Sequence, residues 1–366
     1  MKKKSIRFER ADQRKFFTTL NKRVNDYFRQ KSLKKTGNFK LYFKTLIMFV
    51  LLVTPYFLIT IFDFHFALDF ALCIVMGIGV AGVGMNVMHD ANHGSFSSKK
   101  WVNKIMGSSI YLLAGNVYNW KVQHNLLHHT FTNIHEHDED LEAGRILRFS
   151  KHTPWKKHHR YQHLYSILLY GLLTINWSLT SDFTQMIRYR KRKLSVGAEK
   201  SDTYMWSMLI LTKILYFIIW IVLPIAVFDI AWYQVIIGFF VMHYIAGLIL
   251  SMIFQLAHIV EKAETPTPNE SGFMKNTWAI HQLFTTANFG TKSKFLNWFS
   301  GGLNHQIEHH IFPNISHVHY TKIAEIVKST AKEFNLPYHE YSSIWVAIES
   351  HFNHLKHLGN KPAVAV

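Results

Sequence analysis

Residues 66–93 read FALDFALCIVMGIGVAGVGMNVMHDANH: a long apolar run that ends on a histidine pair. A bilayer core takes about 20 apolar residues per spanning helix, and Asp69 is the only charge before Asp90. Five small residues, Gly77, Gly79, Ala81, Gly82 and Gly84, allow neighbouring helices close to this one, with Gly77 and Ala81 one turn apart. The helical repeat of ~3.6 residues puts His89 and His93 on one face, where both can bind one metal ion. A close-packed helix would hold that pair rigidly.

The rest of the chain repeats this pattern. Hydrophobic residues make up 49% and aromatics 15%, gathered into long runs rather than amphipathic stripes. No Lys or Arg lies between Lys44 and Lys99 or between Lys213 and Lys262. Each stretch is long enough for two spans and a tight turn. The spans are predicted near Thr45–Phe62, Phe66–Met88, Trp206–Phe228 and Ala231–Ala257, with Asp63 and Asp229 in the turns. Basic residues precede Lys44, fill the loop from Lys99 to Lys213 and follow Lys262, and neither turn has any. The positive-inside rule then puts both termini and the middle loop in the cytoplasm. The expected domains are a basic N-terminal segment 1–44, a membrane domain 45–313 with its histidine-bearing loop at 89–205, and a cytoplasmic segment 314–366.

The formal charge of +18 fits this topology and attraction to anionic headgroups, or else a phosphate-bearing substrate or an acidic redox partner. No basic, aromatic-interleaved motif points to nucleic acid. Cys73, the only cysteine, falls within a span, which excludes a disulfide framework and a cysteine metal site. The first 44 residues carry no signal-peptide pattern and include an amphipathic stretch at Phe16, Phe17, Leu20, Val24 and Tyr27, expected to lie in the membrane interface. Trp101–Trp120 and Leu164–Thr180 are also expected to be interfacial helices, because counting either one alone as a span makes the total odd.

Three more histidine groups follow the first: His124-Asn-Leu-Leu-His128-His129, the lone His258, and His305-Gln306-Ile-Glu308-His309-His310. Topology puts all of them on the cytoplasmic side. Imidazole binds iron, copper, nickel and zinc. So many candidates exceed the four ligands of a closed zinc site and suit two ions sharing a site. Asp90, Asp138, Glu139 and Asp140 are placed to orient imidazoles rather than to bind metal. His152, His158, His159 and His163 lie among Lys and Arg and are expected on the surface, as are His351, His354 and His357 on a helix face. His135 and His137 are expected to order their loop. His243, within a span, suits either a functional role or a neutral hydrogen-bonded one.

In this order, HxxxH, HxxxHH and QxxHH, the motifs resemble those of the membrane fatty acid desaturases. Gly301–Pro313 is similar to the third histidine box of front-end desaturases in the linoleoyl-CoA desaturase-like branch, and Trp120–Asn133 with Asp138 and Asp140 fits the same branch. The resemblance runs from about Val87 to Pro313. It implies two iron ions, dioxygen as co-substrate and a fatty acyl chain, on CoA or in a phospholipid, as substrate. It implies the ligands His89, His93, His124, His128, His129, His258, Gln306, His309 and His310, with Asp90, Asn133, Asp138, Asp140 and Glu308 supporting them. His305 stands where the box is usually aromatic and competes with Gln306 as a ligand. Many front-end desaturases carry an N-terminal cytochrome b5 domain with an HPGG motif. No such motif occurs here and too few residues precede Thr45 to hold that domain, so electrons are expected from a separate cytochrome b5 or ferredoxin.

The expectation is an all-α integral membrane protein with four transmembrane helices and a cytoplasmic helical cap holding a di-metal site. Its reaction is dioxygen-dependent insertion of a cis double bond, in a bacterial inner membrane rather than an endoplasmic reticulum. A related di-iron hydroxylase of fatty acid, sterol or carotenoid is the enzymatic rival. A metal transporter or zinc-dependent receptor is the non-redox rival, although a transporter would place its ligands near mid-membrane.

Overall fold

The computed structural model describes residues 6–9, 14–142, 146–197 and 200–361. The chain forms two compact units: one gathers Met1–Thr36, Leu127–Ser166 and Ile253–Val366, the other Gly37–Leu126 and Ile167–Met252. The fold is helical, with only short strand pairs among the described residues.

Among the described residues, four helices are long and apolar enough to cross a membrane: α2 (Phe39–Ile61), α3 (Phe66–Asn92), α8 (Asp202–Ala226) and α9 (Trp232–His258). They follow α1 (Arg14–Gln30), and α4 (Lys100–Gly107), α5 (117–131), α6 (Gln162–Tyr170) and α7 (173–191) lie between α3 and α8. Leu46, Val50, Phe57, Ile61, Ile210, Ile214, Trp232 and Phe240 are all exposed on the long helices, which in water would be an aggregation surface and in lipid is a fitting one.

The ends differ from the predicted spans because local chemistry sets them. α2 starts before Lys44, since the Asn38 side chain accepts the Lys40 N–H at 3.0 Å and caps it there; Lys44 is buried. α3 does not stop at Met88. A π-helical turn over Gly84–Met88 carries it on through Asn92, and Gly94, at φ +77°, ends it.

The small residues of α3 work as close contacts. A Cβ on Gly79 would come within 2.6 Å of the Leu52 backbone nitrogen in α2, and one on Gly77 within 2.6 Å of the Met242 carbonyl in α9. Tyr56 of α2 donates to the Ile219 carbonyl of α8 at 2.7 Å. His243 is hydrogen-bonded on both sides: Nε2 lies 2.6 Å from the Tyr216 hydroxyl and Nδ1 2.9 Å from Thr174 Oγ1. The middle loop is helical, and Trp101 and Ile105 of α4 are exposed. α5 departs from regular geometry with a π-helical stretch over Lys121–His128.

The other unit contains α1, α10 (Trp278–Thr285), α11 (Lys294–Phe299), α12 (Gln306–Ile311), α13 (Tyr320–Glu333) and α14 (Ile344–Gly359). Two parallel strand pairs, Arg7–Phe8 with Phe273–Met274 and Asn288–Phe289 with Glu340–Tyr341, join distant segments. The expectation that the amphipathic stretch of α1 meets lipid is corrected here. Phe16, Leu20, Val24 and Phe28 are buried in one core with Ile280, Leu283, Ile307, Ile311 and Tyr320. Each such burial stabilises by about 1.5–3 kcal/mol.

Two histidine placements are corrected as well. His159 is buried and accepts the Lys156 N–H at 3.0 Å. His351 is buried, its Nδ1 2.7 Å from the Ile259 carbonyl, and burial pulls its pKa down to about 4. His158 is exposed as expected. Of the tail after Gly359, residues 362–366 lie outside the described residues.

The Gly79 contact leaves no room for a side chain. Gly79→Val should destabilise the protein by about 1–3 kcal/mol through overpacking, read as a lower midpoint of thermal unfolding in detergent. An unchanged midpoint would show that α2 and α3 do not meet so closely.

Candidate metal centre

In the unit built from Gly37–Leu126 and Ile167–Met252, the end of α3 and the middle of α5 bring together His89, His93 and His124. Their candidate ligand nitrogens lie within 4.8 Å of one another, and the Nε2 atoms of His89 and His124 are 3.1 Å apart. Trp120 roofs the group. Its ring lies over His124 at 4.5 Å and edge-on to His89 and His93 at 5.6 and 5.7 Å. Asp90 approaches His89 Nδ1 only to 4.0 Å, too far for a hydrogen bond.

In the other unit, His128, His258 and His310 form a second, fully enclosed group. Their ring centroids stand 4.7, 4.8 and 4.9 Å apart, and candidate ligand nitrogens again lie within 4.8 Å of one another. His129 and His309 adjoin it, with centroids 4.6 Å apart. The Gln306 side chain lies beside His258. His305 faces elsewhere: its Nδ1 is 3.7 Å from Glu308 Oε2. α12 begins at Gln306, so His305 is the capping residue before it, with non-helical backbone angles.

What fixes these rings is a hydrogen bond at Nδ1. His128 Nδ1 meets Asp138 Oδ2 at 3.0 Å and Asp140 Oδ2 at 3.2 Å. Burial pulls the His128 pKa down, but the two carboxylates outweigh it and raise it; the site favours positive charge, from a proton or a metal ion. Asp138 is itself held by the Asn133 N–H at 2.8 Å, and Asn133 Nδ2 reaches the His258 carbonyl at 2.9 Å. His310 Nδ1 meets Gln282 Oε1 at 2.9 Å, and His309 Nδ1 meets the Tyr320 hydroxyl at 3.1 Å. These contacts leave Nε2 of His128, His309 and His310 as the nitrogen that a metal would use. Glu308 holds the box from behind, accepting from Asn288 at 2.8 Å and Tyr338 at 3.0 Å. Burial, with the Glu308 carboxylate adding to it, pushes the Tyr338 phenol far up, so it stays a donor.

Of the residues expected to support the ligands, Asp138 and Asp140 reach His128, Asn133 holds Asp138, and Glu308 is held by Asn288 and Tyr338. Gln282, Tyr320, Thr132 and Tyr338 were missed. Thr132 donates to Gln282 Oε1 at 2.8 Å, and His281 Nε2 lies 2.8 Å from the Thr132 carbonyl. Nothing in local spacing marks these partners; only the motif-adjacent Thr132 lay within sight.

Two groups of imidazole nitrogens, the second with carboxylates one step behind, fit metal ions with redox chemistry better than a closed tetrahedral zinc site. A family model described as fatty acid desaturase matches residues 65–342. The chain belongs to the fatty acid desaturase family. This desaturase is 34% identical to an sn-1 linoleoyl-lipid 6-desaturase of Synechocystis sp., over 96% of this chain and 98% of that protein. It is 32% identical to an sn-1 linoleoyl-lipid 6-desaturase of Arthrospira platensis over 95% and 93%. An acyl-lipid (8-3)-desaturase of Physcomitrium patens shares 33% identity over 98% of this chain and 74% of its own length. The protein is an enzyme that desaturates a fatty acyl chain.

Asp138→Asn should weaken metal retention about 10–100-fold, because it replaces the carboxylate that orients His128. Gln282→Ala should act in the same direction through His310. Metal content after dialysis against a chelator checks both, and His158→Ala, on the surface, is the silent control.

Proposed function

We propose that this desaturase is a front-end acyl-lipid desaturase, inserting a cis double bond on the carboxyl side of an existing one in a linoleoyl-type chain. The observation that carries the metal assignment is the pair of buried histidine groups, His89–His93–His124 and His128–His258–His310, each within ligand distance. Two iron ions would be held by these six with His129, His309 and Gln306. The nearly full-length likeness to lipid-linked 6-desaturases supports a membrane lipid over a free acyl-CoA as substrate. The basic loops support an active site on the cytoplasmic face of a bacterial inner membrane.

Bound iron would supply the activation of dioxygen that an unactivated C–H bond requires. One dioxygen, two acyl hydrogens, two electrons from a separate donor protein and two protons give one double bond and two waters. The protein's part is geometry and dryness. The imidazoles bind. Asp138, Gln282 and Tyr320 fix their orientation, and the enclosing core keeps bulk water from the reacting carbon. Segment 45–313 carries the candidate ligands, and 1–44 and 314–366 support them, Tyr320 included.

Expression in a host of known lipid composition, followed by mapping of new double bonds, tests the reaction. A new bond between an existing one and the carboxyl group is expected. A bond toward the methyl end would overturn the front-end assignment, and a hydroxylated product would replace it with the hydroxylase. Purified protein should carry two irons per chain. Gln306 is assigned as ligand because its side chain meets His258 while His305 meets Glu308. Gln306→Ala should therefore lose iron, and His305→Phe should keep substantial activity; the opposite pair of results makes His305 the ligand.

A further inference from the structure

Lys213 lies inside α8, a helix otherwise apolar enough to cross a membrane, and an ammonium there is expensive to insert. Its Nζ has three donors, and three acceptors meet them: Asp182 Oδ2 at 2.7 Å, the Trp177 carbonyl at 2.6 Å and the Ala114 carbonyl. Both side chains are buried, 7% and 4% exposed. The pair is more than charge neutralisation, because its remaining bonds, apart from that to the Trp177 carbonyl, converge on one short segment, residues 114–119. Ala114 sits at φ +61°, a left-handed conformation that a non-glycine residue adopts under strain, and Lys213 holds its carbonyl. Asp182 accepts from Asn119 Nδ2 at 3.1 Å and from the Asn116 N–H. Asn119 Nδ2 also reaches the Asp182 carbonyl at 2.7 Å. Asn116 in turn caps the first turn of α5 through the N–H groups of Tyr118 and Asn119. The next residue, Trp120, is the ring that roofs His89, His93 and His124.

We propose that Lys213 and Asp182 are positioning residues: they fix residues 114–120, and through Trp120 set the mutual placement of His89, His93 and His124. This deepens the metal-centre assignment and rests on it. A pair that served packing alone would be replaceable by apolar residues without loss, since buried ion pairs exchanged for hydrophobic side chains are often neutral or stabilising. Positioning, by contrast, needs the hydrogen bonds themselves.

The test uses the full-length protein in detergent and the double variant Lys213→Met/Asp182→Leu, with Lys213→Arg and Asn119→Ala beside it. Two readouts are taken besides activity. One is the fluorine resonance of Trp120 in metal-free protein labelled with 5-fluorotryptophan, assigned with Trp120→Phe. The other is Fe2+ affinity of the apoprotein. The double variant should keep its unfolding midpoint, shift or split the Trp120 resonance and bind Fe2+ about 10–100-fold more weakly at one site. Lys213→Arg should restore both signals toward the wild type. A double variant with wild-type resonance and wild-type Fe2+ affinity overturns the proposal. Should the double variant fail to insert, Asn119→Ala, which leaves the ion pair intact, decides by the same two readouts. A wild-type protein with no second Fe2+ site sinks the metal-centre assignment instead; the fluorine signal, read without metal, still decides whether the clamp positions Trp120.

Discussion

A neutral imidazole has one N–H and one lone pair, and a fixed acceptor at Nδ1 decides which nitrogen faces the metal. That hydrogen bond is the constraint on which the rest of the centre depends. For His128 the acceptor is Asp138, for His310 it is Gln282, and for His309 the partner is Tyr320. Two of these partners come from α10 and α13, so the ligands are only as rigid as those helices. α1 supplies that rigidity. Its buried face packs against Ile280 and Leu283 of α10, Ile307 and Ile311 of α12, and Ile323 and Val327 of α13. A basic, N-terminal helix that reads as a membrane anchor is in fact the back wall of the ligand support.

Much of this was legible because lipid imposes a simple rule. Spanning segments must be apolar and must satisfy their own backbone, so long apolar runs located all four helices. Their ends were misjudged where a single side chain or a change of helix type intervened: the Asn38 cap before α2, and the π-helical turn that extends α3 through His89 to Asn92. The face of α1 was misassigned for a different reason. An amphipathic stripe states that one side avoids water and does not state whether lipid or protein covers it. The same limit applies to His159, whose basic neighbours suggested solvent, and to His351, read as part of a surface helix face, while the fold buried both.

At the site, the ligand candidates were visible as local repeats, and so were Asp138 and Asp140, which follow the second box closely. Gln282 and Tyr338 were not, because their partners lie 28 and 30 residues away. Lys213 was visible as a residue but not as a clamp. It touches segments 99, 36 and 31 residues distant, and only the folded chain brings these to one ammonium.

The choice of donors has an electrostatic consequence. Imidazoles are neutral, so an ion bound by histidines alone keeps its full charge in a buried, low-dielectric place, which is costly unless anions stand nearby. Here the anions are one hydrogen bond further out: Asp138 and Asp140 behind His128, with Glu308 beside His305 and held by Asn288 and Tyr338. Carboxylates in that outer position offset the charge without occupying a coordination place. The arrangement therefore reconciles burial, which keeps water away from a reactive centre, with the charge that such a centre must carry.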